Sequence, residues 1–212
     1  MIVVNMLNKL INRFSLLLKY VFRKIFPLGY PENKNNEVYI HLGCGDVNSP
    51  EFINVDTRFF SHVHRISRVE SLKFFQDNFA DLIYTSHTLE HIPMRKVKNT
   101  ILEWKRILKP GGVLRISVPD FDKIIKIYSE CGNSIDAIWQ PLLGGQEYKE
   151  NNHFSVFNFE YLKKLLETFE FKEIRIWQPD KVKHHDFDDW ASKHITVNEK
   201  KFPISINIEA KK

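Results

Sequence analysis

The stretch Tyr39-Ile-His-Leu-Gly-Cys-Gly-Asp46 decides how the chain is interpreted, because an apolar strand run passes directly into glycines. Glycines at the end of a strand let the backbone approach a ligand closely and expose N–H groups. Asp56 ends the next apolar run, residues 52–55, where its carboxylate can accept hydrogen bonds from both hydroxyls of a ribose. We therefore expect a nucleoside-binding loop after the first strand.

The spacing of this loop differs from that of the dinucleotide-binding fingerprint. That fingerprint has a third glycine and an acidic residue about 20 residues downstream. Here the third glycine is missing and Asp56 lies 11 residues after Gly45, a gap too short for a full helix. The loop therefore disfavours NAD and FAD and favours a nucleoside ligand without a pyrophosphate.

The chain beyond residue 37 alternates strand and helix patterns. Apolar runs with strand character occupy 38–42, 52–55, 80–84, 113–118, 174–177 and 204–208, and helical spacing occupies 95–108 and 158–169. This alternation predicts an α/β sheet with parallel central strands. Ligands bind such sheets at the carboxyl ends of the strands, so the residues there are the first candidates for a site.

Four segments, taken in order, resemble the class I S-adenosylmethionine-dependent methyltransferases. They are 39–46, Ile53-Asn-Val-Asp56, Asp81-Leu-Ile-Tyr-Thr-Ser-His-Thr-Leu-Glu-His-Ile-Pro93 and Leu108-Lys-Pro-Gly-Gly-Val-Leu-Arg-Ile-Ser-Val-Pro-Asp120. More narrowly, they resemble a bacterial subgroup found with genes for surface-polysaccharide synthesis. The resemblance implies a Rossmann-like, mostly parallel sheet of seven strands with an antiparallel last strand and helices on both faces. It also implies S-adenosylmethionine as the cofactor.

The resemblance assigns one group of residues to the methionine and ribose part of the cofactor. Gly43, Cys44 and Gly45 would pass beneath it. Many family members have an acid where His41 stands, and that acid helps to hold the methionine amino group. His41 is therefore a departure at a cofactor contact, and Asp46 is the candidate that could replace the missing acid.

The resemblance assigns a second group to the rest of the cofactor. Asp56 would bind the ribose hydroxyls, and Glu70 and Ser71 would flank the adenine near the end of a weakly marked third strand. Ser86 and His87 would lie beside the sulfonium.

Methyl transfer to an oxygen requires alignment and often a base, and histidine suits that role because its ordinary pKa is about 6.5. His87 and His153 are the first candidates for this base, followed by His185. His91, within Leu-Glu-His, is expected to pack against the core or cap the start of a helix.

A metal site is an alternative that the sequence favours less. His87, Glu90 and His91 could supply two imidazoles and a carboxylate, and the acidic run 186–189 could bind Mg²⁺. Methyltransferases with a metal at a related position have more carboxylates there, and acidic runs are more often solvated loops. We therefore expect no metal.

Two insertions are expected to define the acceptor. Residues 119–157 include Trp139 and Tyr148, and residues 178–203 include Trp190. Aromatic side chains with polar neighbours can stack on sugar rings, although they can equally cover the sheet.

Residues 1–36 are predicted to form a basic amphipathic helix and a linker, ahead of a methyltransferase domain at 37–212. Residues 1–34 hold six Lys/Arg and one Glu, which account for the whole net charge of +5. An apolar stripe at helical spacing predicts a helix over residues 2–26 and contains Leu7, Leu10, Ile11, Phe14, Leu17, Leu18, Val21 and Ile25. Two interpretations stay open: the helix covers the core or an oligomer contact, or it lies in the plane of an anionic membrane.

The location follows from two features of the chain. The N-terminal segment is a poor transmembrane span, because no run of about 20 residues avoids Lys or Arg. Cys44 and Cys131 are the chain's two cysteines, which excludes a disulfide framework and fits a reducing cytosol. We expect a cytoplasmic protein that can sit at the inner face of the membrane.

The resemblance therefore implies a methyltransferase, and its narrower subgroup implies that the enzyme O-methylates a sugar or a glycan precursor. Another small molecule or a nucleic acid is the alternative acceptor. The neutral body argues against nucleic acid, as does the lack of an Asn/Asp-Pro-Pro-Tyr or Pro-Cys segment. A non-enzymatic alternative is a cofactor-binding regulator or scaffold tethered by the N-terminal helix.

Overall fold

The computed structural model describes residues 2–212, except for the side chains of residues 2–5, Leu7 and Asn35. Its helices are α1 (Ile2–Ile25), α2 (Met94–Ile107), α3 (Phe121–Glu130), α4 (Trp139–Leu143) and α5 (Phe159–Thr168). Its strands are β1 (Tyr39–Leu42), β2 (Phe52–Asp56), β3 (Arg65–Ile66), β4 (Ala80–Ser86), β5 (Leu108–Pro119), β6 (Lys172–Ile176), β7 (His194–Val197), β8 (Lys200–Pro203) and β9 (Ser205–Lys211).

Seven of these strands form one sheet in the order β3-β2-β1-β4-β5-β9-β6. β1 lies inside the sheet, with Ile40 paired to Ile53 of β2 and to Ile83 of β4, both in parallel register. β9 runs antiparallel to both of its neighbours, β5 and β6, so the other six strands point the same way. The predicted Rossmann-like sheet with an antiparallel last strand is confirmed, and β7 and β8 form a separate hairpin.

Two connections differ in detail from the sequence patterns. The Pro-Gly-Gly run 110–112, a sequence typical of a tight turn, lies inside β5, which starts at Leu108 and passes through Gly111 at a φ of +78°. The weakly marked third strand is only the two residues of β3, because it pairs with the end of β2 alone. As the short gap suggested, residues 43–51 join β1 to β2 without a described helix.

The main core lies between the sheet and helices α2 and α5. Ile101 and Trp104 of α2 and Leu162 of α5 are fully buried against the apolar side chains of β1, β4 and β5. The indole Nε1 of Trp104 donates to the carbonyl of Val69 at 2.9 Å, so its polar atom is satisfied in the core. This packing fixes the helix that follows the end of β4.

The opposite face of the central strands has a different cover. Tyr84 and Trp177 pack there with Phe187 of the connection after β6, and the described members of this cluster include no α-helical residue. An irregular segment thus takes the place of the helices expected over this part of the sheet. The short connection between β1 and β2 explains the difference, because it leaves no room for a helix.

Helix α1 touches the body near β3 and leaves its apolar stripe exposed. The Nη1 of Arg23 donates to the carbonyls of Ser61 and Val63 at 3.1 and 2.7 Å. Phe14 and Ile25 of the predicted stripe are 63% and 64% exposed, so the described stripe does not cover the core. The side chain of Leu7, also assigned to the stripe, lies outside the described residues. The domain boundary at residue 36 stays a prediction.

Among the helices that the structure describes, none combines the length and the apolarity needed to cross a bilayer.

Candidate active site

A cavity of about 530 Å³ opens at the carboxyl ends of β1, β4 and β5. The strands contribute His41, the loop 43–47, Ser86, His87 and Pro119. The insertion 119–157 contributes Gln140, Pro141, Gly144, Gly145, Glu147, Tyr148, Asn151 and His153, and the insertion 178–203 contributes Asp189, Trp190 and Ile195. Residues of both predicted insertions therefore line this cavity, which lies where ligands bind parallel α/β sheets.

The structure gathers most of the residues predicted for the site around this cavity. They are His41, Gly43, Cys44, Gly45, Asp46, Ser86, His87 and His153. Asp56, Glu70, Ser71 and His185 are not among the described residues that line it.

The glycine loop after β1 makes a close backbone approach. Gly43 and Gly45 have φ values of +69° and +55°, which L side chains rarely adopt. A Cβ atom on Gly43 would lie 2.1 Å from Oγ1 of Thr88, so the loop is pressed against the segment that follows β4. Only glycine fits this position.

Asp56 stabilises the glycine loop through its buried carboxylate. Its Oδ2 accepts from the backbone N–H of Gly45 at 2.8 Å, and its Oδ1 accepts from that of Arg58 at 2.7 Å. The side chain is buried, so these hydrogen bonds give the carboxylate a fixed direction. Its predicted contact with the ribose stays a prediction.

Glu70 and Ser71 lie away from the cavity. Glu70 pairs with Arg68 at 2.6 Å and with Lys96 at 4.0 Å. Ser71 lines a second cavity of about 340 Å³ beside α1. Their assignment to the adenine stays a prediction.

Two buried polar atoms at the cavity wall fit a polar ligand. The Nδ1 of His41 and the Oγ of Ser86 have no hydrogen-bond partner among the residues that the structure describes. Burial lowers the pKa of His41 to about 4, so its imidazole is neutral at neutral pH. Unpaired buried polar groups are costly, and a ligand that pairs with them would recover this free energy.

His87 occupies a constrained position at the end of β4. Its φ is +48°, and its Nε2 donates to Oγ of Ser205 at 2.7 Å, because that hydroxyl itself donates to the carbonyl of Trp190 at 2.6 Å. Its Nδ1 therefore carries a lone pair, which faces Oε1 of Glu90 at 3.4 Å. Burial lowers the pKa of His87 to about 3.

Glu90 lies between the histidines of this site, although the resemblance does not imply a role for it. It is 1% exposed, and within the described part of the chain neither carboxylate oxygen has a hydrogen-bond partner. Burial raises its pKa to about 8. Its place between His87 and His91 in the sequence was the available signal, because a short turn puts all three near the end of β4.

His91 and His153 complete this cluster. The Nδ1 of His91 donates to the carbonyl of Asn152, and the Nδ1 of His153 donates to that of Pro141, both at 3.0 Å. These bonds leave an Nε2 lone pair on each ring, and the ring centroids lie 4.8 Å apart. Burial lowers the pKa of His153 to about 4. His91 thus faces the cavity instead of only packing or capping a helix.

The acidic run 186–189 does not form a common site. Asp188 lies near Lys193 at 3.9 Å on the surface, whereas Asp189 is buried and accepts from the hydroxyl of Tyr84. His185 is 3.1 Å from the same hydroxyl, and its side chain is only 2% exposed. The structure therefore does not bring His185 to the cavity.

The chain is similar to known proteins both in sequence and in fold. Residues 40–116 match the family model described as a methyltransferase domain. No curated protein matches the chain.

Several solved structures are similar to the whole chain. A SAM-dependent methyltransferase of Archaeoglobus fulgidus is 18% identical, with 92% of this chain and 93% of that chain covered and a TM-score of 0.53. One of Thermotoga maritima is 16% identical, with 99% and 96% covered and a TM-score of 0.51. The 1,6-didemethyltoxoflavin-N1-methyltransferase of Burkholderia thailandensis, with its substrate and S-adenosylhomocysteine bound, is 13% identical, with 87% and 72% covered and a TM-score of 0.54. At these identities the likeness establishes the fold.

Residues 40–116 thus match a methyltransferase domain, and the chain has the fold of solved S-adenosylmethionine-dependent methyltransferases. The solved Burkholderia thailandensis enzyme holds S-adenosylhomocysteine, the product that the cofactor S-adenosylmethionine leaves after methyl transfer. The glycine loop and the unpaired atoms of His41 and Ser86 fit that cofactor, because they offer a close backbone approach and free polar groups at one cavity wall.

Proposed function

We propose that the protein transfers a methyl group from S-adenosylmethionine to a hydroxyl of a sugar or a glycan precursor. The observation that carries the proposal is one cavity with the glycine loop on one wall and a cluster of neutral imidazoles on another. The choice of a glycan rests on the resemblance of the four sequence segments to the surface-polysaccharide subgroup.

The cofactor is proposed to lie along the loop 43–45, with Asp56 toward the ribose and Ser86 near the sulfur. His41 would face the methionine end as a neutral imidazole, whose unpaired Nδ1 can accept a hydrogen bond from an ammonium group. When bound, the cofactor supplies an electrophilic methyl group, which the acceptor oxygen takes while the carbon–sulfur electron pair stays on sulfur. The chain's task is then to align the acceptor with that methyl group.

The acceptor is proposed to lie between the two insertions. Tyr148 and Trp190 line the cavity and are 45% and 44% exposed, so their rings are accessible to a ligand. Gln140, Glu147 and Asn151 add polar groups on the same side. Ring faces next to hydrogen-bonding groups suit a sugar, which has apolar faces and a polar rim.

The acceptor hydroxyl must also lose a proton. His87 and His153 are proposed for this step, because both line the cavity and both are neutral at neutral pH. Their low pKa values, about 3 and about 4, make them weak bases, since the best base has a pKa near the working pH. A further group that lowers the pKa of the acceptor hydroxyl would compensate for this mismatch.

We also propose that α1 lies in the plane of an anionic membrane. Its described apolar stripe is exposed, and Lys9, Arg13 and Lys19 lie on the same helix, where they can reach lipid headgroups. The second cavity between α1 and β3 is lined by Arg23, Lys24, Arg65 and Lys73, which adds positive charge on this side. Such a contact would hold the enzyme at the inner face of the membrane, where glycan precursors are assembled; an oligomer contact is the competing use of the stripe.

The test uses S-adenosylmethionine labelled in its methyl group and fractionated cell-envelope glycan precursors. The expected result is label in an O-methyl group of a glycan fraction, with turnover reduced at least tenfold in His153→Gln and unchanged in the exposed control His194→Gln. Label in nucleic acid or in another small molecule would replace the proposed acceptor. Tight cofactor binding without turnover on any fraction would favour the regulator or scaffold alternative.

A further inference from the structure

We propose that Glu90, His91 and His153 bind one divalent transition-metal ion at the acceptor side of the cavity. One ligand atom from each of these residues lies within 4.8 Å of the other two. The existence of the site rests on these three residues and not on the identity of the acceptor.

The distances suit a single ion after a small contraction. Oε1 of Glu90 and Nε2 of His153 are 3.9 Å apart. Two ligands that each bind an ion at about 2.1 Å can lie up to about 4.2 Å apart. The pair therefore already lies within the span of one coordination sphere.

The hydrogen bonds of the two histidines prepare them as ligands. Each Nδ1–H donates to a backbone carbonyl, that of Asn152 for His91 and that of Pro141 for His153. This arrangement fixes the tautomer and leaves the Nε2 lone pair free. Metal-binding histidines usually have such a second hydrogen bond, which orients the ring and raises its basicity.

Glu90 supplies an independent observation, a buried carboxyl group without a hydrogen-bond partner in the described part of the chain. Its side chain is 1% exposed, and both oxygens are unpaired among the described residues. Its Oε1 lies 3.4 Å from Nδ1 of His87 and 3.9 Å from Nε2 of His153 without a hydrogen bond to either ring, and no Lys or Arg pairs with it in the part of the chain that the structure describes. A buried carboxylate without a partner is costly, and a bound cation removes that cost.

The ligand types select the class of metal. Two imidazoles and one carboxylate are typical of Zn²⁺, Mn²⁺, Fe²⁺ or Co²⁺, whereas Mg²⁺ and Ca²⁺ prefer oxygen ligands. His91 and His153 line the cavity, whereas Glu90 is buried and is not among its described lining residues, so a bound ion would be reached from the cavity on the histidine side.

The ion's role in catalysis rests on the proposed function. A metal ion beside the acceptor hydroxyl would act as a Lewis acid and lower the pKa of that hydroxyl. It would therefore supply the assistance that the weakly basic imidazoles need. In this arrangement His153 is a metal ligand, and its Nε2 cannot also accept the proton.

The test titrates the untagged, full-length protein with Zn²⁺, Co²⁺ and Mg²⁺ in a calorimeter, without cofactor or acceptor. We expect one Zn²⁺ or Co²⁺ ion per chain and at least tenfold weaker binding of Mg²⁺. Glu90→Gln, His91→Gln and His153→Gln should each weaken Zn²⁺ binding at least tenfold. His184→Gln and His62→Gln are matched controls outside the cluster and should leave the affinity unchanged.

Two results would overturn the metal site: no saturable binding of Zn²⁺ or Co²⁺, or equal affinity in the wild type and the three cluster variants. Loss of binding in His62→Gln alone would also overturn it, because His62 lies 3.9 Å from Cys44 at a different place. Because a variant can misfold, a visible Co²⁺ absorption band in the wild type, displaced by Zn²⁺, is the second readout, and its absence counts against the site. Binding of S-adenosylhomocysteine, measured in parallel, shows separately whether the proposed function fails.

Discussion

The backbone N–H of Gly45 donates to Oδ2 of Asp56 at 2.8 Å, which links the glycine loop after β1 to the end of β2. The other carboxylate oxygen accepts from the N–H of Arg58 at 2.7 Å. The carboxylate therefore ties together two chain segments that the parallel strands bring side by side. This relationship makes the shape of the loop depend on one buried acid.

Replacing Asp56 with Ala should weaken cofactor binding. Each hydrogen bond to a charged group contributes roughly 1.5–3 kcal/mol, so the loss should reduce affinity for S-adenosylhomocysteine at least about tenfold. Calorimetric titration measures this effect, with Asp77→Ala as a control at an exposed acid that pairs with Arg106. Equal affinity in Asp56→Ala and the wild type would show that the loop keeps its shape without the carboxylate.

Replacing Gly43 with Ala should destabilise the fold by more than its backbone conformation alone requires. The new Cβ would lie 2.1 Å from Oγ1 of Thr88, in addition to the strain of a φ of +69°. Gly111→Ala is the matched control, because its φ is +78° and its Cβ would meet nothing within 4 Å.

We expect an unfolding free-energy loss of about 1–2 kcal/mol for Gly111→Ala and about 3 kcal/mol or more for Gly43→Ala. The second mutation Thr88→Gly should recover part of the loss in Gly43→Ala only. Denaturant unfolding compares the wild type with the two single variants and the two double variants. Similar losses at the two glycines would contradict the close approach.

His41 should make the fold sensitive to acid. Burial lowers its pKa from 6.5 to about 4, with Asp189, His185 and His62 as the nearby titratable groups. Between pH 6.5 and about 4, His41 is therefore protonated in the unfolded chain but neutral in the folded chain. The free energy of unfolding falls as the pH drops through this range.

Between pH 7.5 and pH 5, the wild type should lose about 2 kcal/mol more unfolding free energy than His41→Gln. The exposed control His194→Gln should follow the wild type. Denaturant unfolding at both pH values provides the comparison. Parallel losses in the wild type and His41→Gln would mean that a proton reaches His41 without cost in the folded state.

The apolar stripe of α1 should control binding to anionic vesicles. The double variant Phe14→Glu, Leu17→Glu places charges on two exposed apolar residues, which are 63% and 56% exposed. It should abolish flotation with vesicles that contain phosphatidylserine. Asn8→Glu, Asn12→Glu has the same change of charge on exposed polar residues and should retain more binding. If all three proteins float equally, or none does, the membrane contact is wrong.

The fold could be predicted largely from local patterns. The apolar runs of β1, β4 and β5 and the helical spacing of α2 are strong because each of these elements buries a face in the main core. The cover over Tyr84 and Trp177 could not be predicted in the same way. It comes from Phe187 in a segment without periodicity, and only the folded chain brings it across the sheet.

The residues of the site also differ in whether the sequence alone predicts their position. The glycine loop, Ser86 and His87 follow strands directly, so the sheet rule places them at one edge from sequence alone. The environment of Glu90 depends on His153, which an irregular loop brings next to His91, and sequence spacing does not encode that contact. Burial alone distinguishes Glu90 from an ordinary polar residue at the start of a helix.

We expect the cavity beside the glycine loop to bind S-adenosylmethionine and its product. Calorimetric titration of the full-length protein with S-adenosylhomocysteine, with NADH in a parallel titration, tests it most directly. We predict saturable binding of one S-adenosylhomocysteine per chain, at least tenfold weaker in Asp56→Ala, and no binding of NADH. Binding of NADH without binding of S-adenosylhomocysteine would contradict the account.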